Sequence, residues 1–334
     1  MKKILLIVLI LFQQQIFAAE VNVYSARKEV LIKPLFDQFT KETGINVNLV
    51  TGEADTLIKR LEIEGKNSPA DVLLTVDVGR LFRAKNNGLF QQIDSEVLTS
   101  VIPEHYRDAD NEWFGMSLRS RIIVYAPDRV KLEELNSYEG LADKNWYGRI
   151  CVRSSSNVYN QSLVASMIAH EGIEKTEQWA AGLVKNLAQP PRGGDRDLIK
   201  AVAAGVCDVA LVNTYYLAGM LRSDQKNEVE AAKKVKLFWP NQQDRGAHMN
   251  ISGAGVLKPA KHKPEAIKLL EFLVSDKAQH WYAETNNEFP INPDIEISSI
   301  LKSWGDFKAD DLNLNLLGEY NTDAVLLMDR VGWK

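Results

Sequence analysis

The sequence predicts an α/β protein of two units, each a parallel sheet with helices on both faces. Three observations carry that expectation. Short apolar runs of strand length alternate with amphipathic helices along most of the chain, the pattern of strands joined by crossover helices. The length, 334 residues, suits about two domains. No internal repeat, low-complexity tract or flexible linker separates the two halves, so they should sit in close apposition, with the chain crossing more than once.

Taken in order, Val21–Tyr24 reads as a strand and Glu29–Lys41 as an amphipathic helix that ends near Gly44. Ile45–Val50 is the next strand, followed by a helix over Asp55–Glu64. Asp71–Thr75 is a short apolar run suited to a buried parallel strand. A helix over Val78–Lys85 stops by Gly88, and a long β-rich stretch runs from Trp113 to Tyr125. The second unit opens with a strand over Arg149–Arg153 and helices over Gln161–His170 and Glu174–Val184. After the turn Pro190–Gly194, a helix over Leu198–Ala204 ends at Gly205 and leads to a strand over Cys207–Val212. A strand over Ile251–Leu257 precedes helices over Pro264–Val274 and Asp276–Glu284, and the last fifty or so residues read as packing helices and loops.

Composition narrows the function. The chain is 45% hydrophobic and 25% charged, with 40 basic and 44 acidic residues and a formal net charge of -4. A basic face for nucleic acid is not supplied. The N-terminus has Lys2 and Lys3, an apolar run from Ile4 to Phe12, and Ala18-Ala19 at its end. That is the design of a secretory signal peptide over residues 1–18, too short to span a bilayer. No cysteine follows the apolar run, which argues against a lipoprotein. Cleavage leaves a mildly acidic, exported protein. Cys151 and Cys207 are the only cysteines. Export favours a disulfide between them over two buried thiols. The bridge would close about 56 residues, a constraint of about 4 kcal/mol.

Three strand-to-helix junctions hold the candidate chemistry, since ligands of open α/β sheets bind beyond the carboxyl ends of strands. They are Tyr24–Arg27, Ser154–Asn160 and Asn213–Tyr216. At such a turn the adjacent Tyr215 and Tyr216 can both reach one cleft, whereas in a strand they would face opposite ways. A phenol titrates near about 10, so it binds metal as phenolate only when a hard, highly charged cation displaces the proton. Ferric iron meets that requirement, and phenolates from Tyr159, Tyr215 and Tyr216 would balance its charge. Packing is the competing account of paired tyrosines. The serines before Tyr159 offer capping hydroxyls and free N–H groups, a candidate anion site beside plain capping. Arg27 can grip a small oxyanion bidentately or make a surface ion pair. Asp77 can cap a helix or line the cleft, and capping is the preferred reading. The five histidines show no zinc spacing, and His248 reads as a loop hydrogen-bonder. Neither a G-x-S-x-G motif nor a P-loop is present.

The motifs Val21–Arg27, Ser68–Asp77, Val152–Asn160, Asn213–Tyr216 and Asn250–Gly253 together resemble the periplasmic ferric-ion-binding proteins that feed iron ABC importers. The resemblance covers nearly the whole mature chain. It implies a type II periplasmic binding protein fold, two α/β lobes joined by crossing hinge strands with a ligand cleft between. The first lobe would begin with residues 19–118, the second comprise 119–238, and 239–334 return to the first and pack helices on both. It implies Tyr159, Tyr215 and Tyr216 as iron ligands, and Arg27 with Ser156 holding carbonate or a similar small anion. A bridge matching Cys151 and Cys207 occurs in some members. Some relatives carry His-Tyr directly after the arginine; here Lys28 and Glu29 stand there, which points to three tyrosines completed by anion or water. Glu29 is a further candidate oxygen ligand and Lys28 a further anion contact.

The expectation is therefore a monomeric periplasmic carrier, not an enzyme, that captures Fe(III) and delivers it to an ABC permease, touching the membrane only there. A carrier of oxyanions or small organic ligands with the same fold is the alternative. An exported metal-dependent hydrolase ranks behind both, because no positioned base or nucleophile is evident.

Overall fold

The computed structural model describes residues 19–334, and the signal peptide expected over residues 1–18 lies outside them. The strands are β1 (Glu20–Ser25), β2 (Asn46–Thr51), β3 (Val72–Val76), β4 (Phe114–Tyr125), β5 (Ile150–Cys151), β6 (Val209–Asn213), β7 (Lys236–Phe238), β8 (Met249–Val256) and β9 (Phe289–Pro290). They follow the order β2-β1-β3-β8-β4-β6-β5, with β7 and β9 also pairing β4.

The expected parallel pairing holds for β2-β1-β3 and β5-β6, whereas β3-β8, β8-β4 and β4-β6 are antiparallel. The physical reason is that alternation fixes direction only within a unit of strands linked by helical crossovers. β4 and β8 meet from distant parts of the chain, and nothing local sets their sense. β4 is a twelve-residue strand buried along its whole length. Phe114–Ser120 pairs with β8 and Arg121–Tyr125 with β6, so one strand serves both halves. β8 crosses β4 tightly enough to demand glycine. A Cβ on Gly253 would lie 2.7 Å from the Phe114 carbonyl oxygen, and one on Gly255 would lie 2.5 Å from that of Glu112.

Most helices lie where the periodicity puts them, including Glu29–Thr43, which ends at Gly44 with φ 73°. Two boundaries differ in a way that matters. The Arg149–Arg153 strand shrinks to Ile150–Cys151, and the following helix starts at Val158, not Gln161. Tyr159 therefore sits in a first helical turn at the end of a short loop. The short β7 and β9 have too few residues to show alternation. Cys151 and Cys207 form the expected disulfide, Cα–Cα 5.9 Å apart and 56 residues apart in sequence.

Asp77 caps the helix Val78–Asn86 by accepting from the Gly79 N–H at 3.0 Å. Near the C-terminus, Asn315–Glu319 packs on both Val78–Asn86 and Val158–Glu171, and Asn321–Arg330 packs on the latter. Among the described residues, no helix is long and apolar enough to cross a membrane.

Candidate metal and anion cleft

The three junctions converge on one cavity of about 610 Å³. Tyr159, Tyr215 and Tyr216 line one side, and Arg27, Lys28 and Glu288 are on the wall as well. Tyr215 and Tyr216 occupy the first turn of the helix Thr214–Leu221, with ring centroids 4.4 Å apart. The Tyr215 hydroxyl donates to the Tyr159 oxygen at 3.1 Å. All three phenols are therefore brought to one place, two by adjacency at a junction and the third by a separate helix start.

What holds that geometry is a buried arginine the sequence reading passed over. Arg121, on β4, donates to Asn160 Oδ1 at 2.7 Å and to Asn213 Oδ1 at 3.0 Å. Asn160 follows Tyr159 and Asn213 precedes Thr214-Tyr215, so one guanidinium fastens both tyrosine-bearing junctions. Asp195 completes the knot: it accepts from Arg121 at 3.3 Å, from Arg153 at 3.1 Å and from the Asn213 N–H at 2.8 Å. The guanidinium carbons of Arg119, Arg153 and Arg121 lie 5.5, 5.6 and 6.0 Å from the Tyr159 ring centroid, a cationic surround that fixes the ring.

Burial drives the Tyr215 phenol well above its ordinary range, and the neighbouring Tyr159 and Tyr216 push the same way. Burial, then Tyr159 and Asp195, raises Tyr216 likewise. Both are neutral phenols at neutral pH. Only a cation strong enough to displace their protons can use them as ligands. The donor set is entirely oxygen, which suits a hard ion. Among the described residues, no group of three or more His, Cys, Asp or Glu is placed to hold a metal.

Arg27 is buried, not part of a surface pair. It donates to Glu288 at 2.5 Å and to Ser117 at 3.1 Å. Burial opposes its charge, but the Glu288 carboxylate outweighs that and raises its pKa. Lys28 is exposed at the cavity mouth. Glu29 and Ser156 are exposed and are not among the lining residues; the Ser156 hydroxyl lies 3.0 Å from that of Ser154. His248 is buried, and its backbone, not its ring, makes the bonds: its N–H donates to Tyr138 and its carbonyl accepts from Ser120. Arg119, Arg121, Arg153, Asp195 and Glu288 were missed by the sequence reading. A signal existed for two of them: Arg119 and Arg121 sit two apart in an apolar strand, hence on one face.

A mixed sheet whose long central strand β4 serves both halves, with a polar cleft at the strand ends, is the type II periplasmic binding architecture. It defines a protein that encloses a small solute. The model for bacterial extracellular solute-binding proteins matches residues 24–280, and the chain belongs to that family. It is 46% identical over 315 residues to Iron uptake protein A1 of Synechocystis, spanning 94% of this chain and 88% of that one. The Trichodesmium protein solved in complex with iron and citrate superposes with a TM-score of 0.92 at 50% identity, covering 95% of this chain and 100% of that one. The ferric binding protein from Campylobacter jejuni superposes with a TM-score of 0.90 at 39% identity, covering 94% and 100%.

Proposed function

We propose that this chain is a periplasmic carrier that captures ferric iron in the cleft and delivers it to an ABC permease. The observation that carries the reading is the convergence of Tyr159, Tyr215 and Tyr216 on one cavity, with two oxygens already 3.1 Å apart. Three phenolates neutralise Fe(III), and the guanidiniums around Tyr159 compensate negative charge on its oxygen. The relatives named for iron uptake and ferric binding support the same cargo.

A small anion completes the metal's coordination, held by Arg27 and reached by Ser156 and Lys28 as the cleft closes; Glu29 stays at the rim. The citrate in the Trichodesmium complex is consistent with an anion beside the metal. The lobes divide where the pairing of β4 passes from β8 to β6, at Ser120/Arg121. They close by hinge motion of the shared strands. The leader directs export and is removed, and the protein works as a monomer without chemical turnover.

The test is titration of iron-stripped protein with ferric citrate in bicarbonate buffer, beside Tyr159→Phe and Tyr215→Phe. A saturable tyrosinate-to-iron charge-transfer band at one equivalent, shifted or lost in the variants, is the expected result. Absence of the band, with an anion or organic ligand still bound, transfers the cleft to the alternative cargo.

A further inference from the structure

The walls of the cavity come from both sides of the division proposed at Ser120/Arg121. The helix Thr214–Leu221 runs on directly from β6, which pairs with Arg121–Tyr125. The helix Asp276–Glu284 lies on the other side: Gln279 Nε2 donates to the Met116 carbonyl and Trp281 Nε1 to the Leu31 carbonyl. The turn that follows it, Thr285–Glu288, contributes to the cavity wall.

Arg222 joins the two sides. It directly follows the helix Thr214–Leu221, and its Nη1 donates both to the Glu284 carbonyl and to Asn287 Oδ1, the latter at 2.9 Å. Tyr215, Tyr216 and Gly219 line the cavity, whereas Arg222 does not. Three residues beyond Gly219, Arg222 continues the cavity-facing stripe of the helix out of the cavity and onto the other half.

Both acceptors are suited to hold a cation. Glu284 ends its helix, so its carbonyl has no intrahelical partner and carries the negative end of the helix dipole. Asn287 is 6% exposed and sits at φ 55°, a left-handed conformation that Asn tolerates better than most residues. The turn is itself fixed, because Glu288 is bound to Arg27 and to Ser117. A rigid pair of acceptors on one half therefore meets a helix whose first turn carries two proposed ligands on the other. Tyr216 and Arg222 are about 9 Å apart along that helix axis, close enough for a displacement at one end to be felt at the other.

We propose that Arg222 is a clasp that holds the two halves shut over the cargo, a positioning residue that sets how fast iron leaves without touching it. This rests on the reading of the cleft as a ferric site. The two bonds exist only where the halves meet, so they stabilise the closed form and not the open form that admits the metal. Removing them should raise the rate of release and leave the rate of capture unchanged. Because Arg222 is exposed, the effect lies at the low end for bonds from a charged donor, about tenfold.

Arg222→Met keeps the aliphatic stem and removes the donor, and Asn287→Gly removes one acceptor at a φ that glycine adopts freely. The two variants, the double variant and the unaltered protein, all lacking the leader, are loaded from ferric citrate in bicarbonate buffer. Release is followed as decay of the charge-transfer band in excess EDTA, where the rate no longer depends on chelator concentration, and capture by stopped flow. Arg222→Met should release iron about tenfold faster, with the band position and the capture rate unchanged. Asn287→Gly should fall between, and should add nothing in the Arg222→Met background. Release from Arg222→Met within about twofold of the unaltered protein, additive effects of the two substitutions, or a shifted band overturns the proposal. Where no band forms in the unaltered protein, the iron reading fails, and the clasp is judged by small-angle X-ray scattering alone. A larger radius of gyration in Arg222→Met then sustains it, and equal radii overturn it.

Discussion

Replacing Tyr216 by Phe removes one proposed ligand oxygen while keeping the ring that packs 4.4 Å from Tyr215. Burial and neighbouring charge hold the phenols of Tyr215 and Tyr216 above their ordinary range, so each carries a proton at every physiological pH. A metal that uses them must release those protons. Each proton released makes apparent affinity change about tenfold per pH unit, rising with pH below the phenol pKa. With three tyrosines bound as phenolates, affinity should climb up to about a thousandfold per unit, and in Tyr216→Phe up to about a hundredfold. Calorimetric loading in two buffers of different ionisation enthalpy counts the protons directly. The difference between the two proteins should be one proton per iron, with the contribution of the ferric source cancelling. An identical count in both would show that Tyr216 does not bind as phenolate, and the three-tyrosine assignment would fall.

Three further outcomes follow from the packing. Arg121→Met strands Asn160, Asn213 and Asp195 in the interior; it should cost about 3 kcal/mol or more in denaturant unfolding and weaken iron loading, and an unchanged charge-transfer titration would remove Arg121 from its positioning role. Burial, reinforced by Arg121, Arg119, Arg245 and His170, pushes His248 down to about 3, so the folded protein holds it neutral while the unfolded chain protonates near its ordinary value. Stability should therefore fall by about 1.4 kcal/mol per unit as pH drops from about 6 to 4, and His248→Gln should remove that share of the slope; parallel slopes in the two proteins would refute it. Replacing both Cys151 and Cys207 by Ala should lower unfolding free energy by about 4 kcal/mol for a closed loop of 56 residues, a loss that unfolding curves with and without reductant would detect.

The extent to which the fold was legible follows from the range over which each signal acts. Helices such as Asp276–Glu284 were read to the residue because caps and periodicity are local. The parallel strands of each half were legible for the same reason. The antiparallel sense of β4 and β8 was not, because their partners lie far away in sequence: Val76 pairs with Ser252 and Arg121 with Asn213. The three tyrosines were legible because junctions after strands announce themselves. Glu288 was not, since it reaches Arg27 across 261 residues and stands in a short polar turn like any other.

This asymmetry has a physical basis in how the cleft is charged. The sequence displays the groups that would touch a metal, which must be unusual in type. It hides those that set their electrostatics, which are ordinary arginines and carboxylates placed by tertiary contact. Arg121 and Asp195 are both almost wholly buried, where an unpaired charge is expensive. Each is retained with several partners, and among those partners are the residues flanking Tyr159 and Tyr215. A buried ion pair adds little to stability compared with apolar packing, so its value here lies in fixing two separate helix starts to one strand. Three phenol oxygens can then meet a cation without reorganising the backbone, the preorganisation that makes a binding site tight. On the same cavity Arg27 is held by Glu288 and Ser117 through one nitrogen, a buried cation fixed by its partners in the same way.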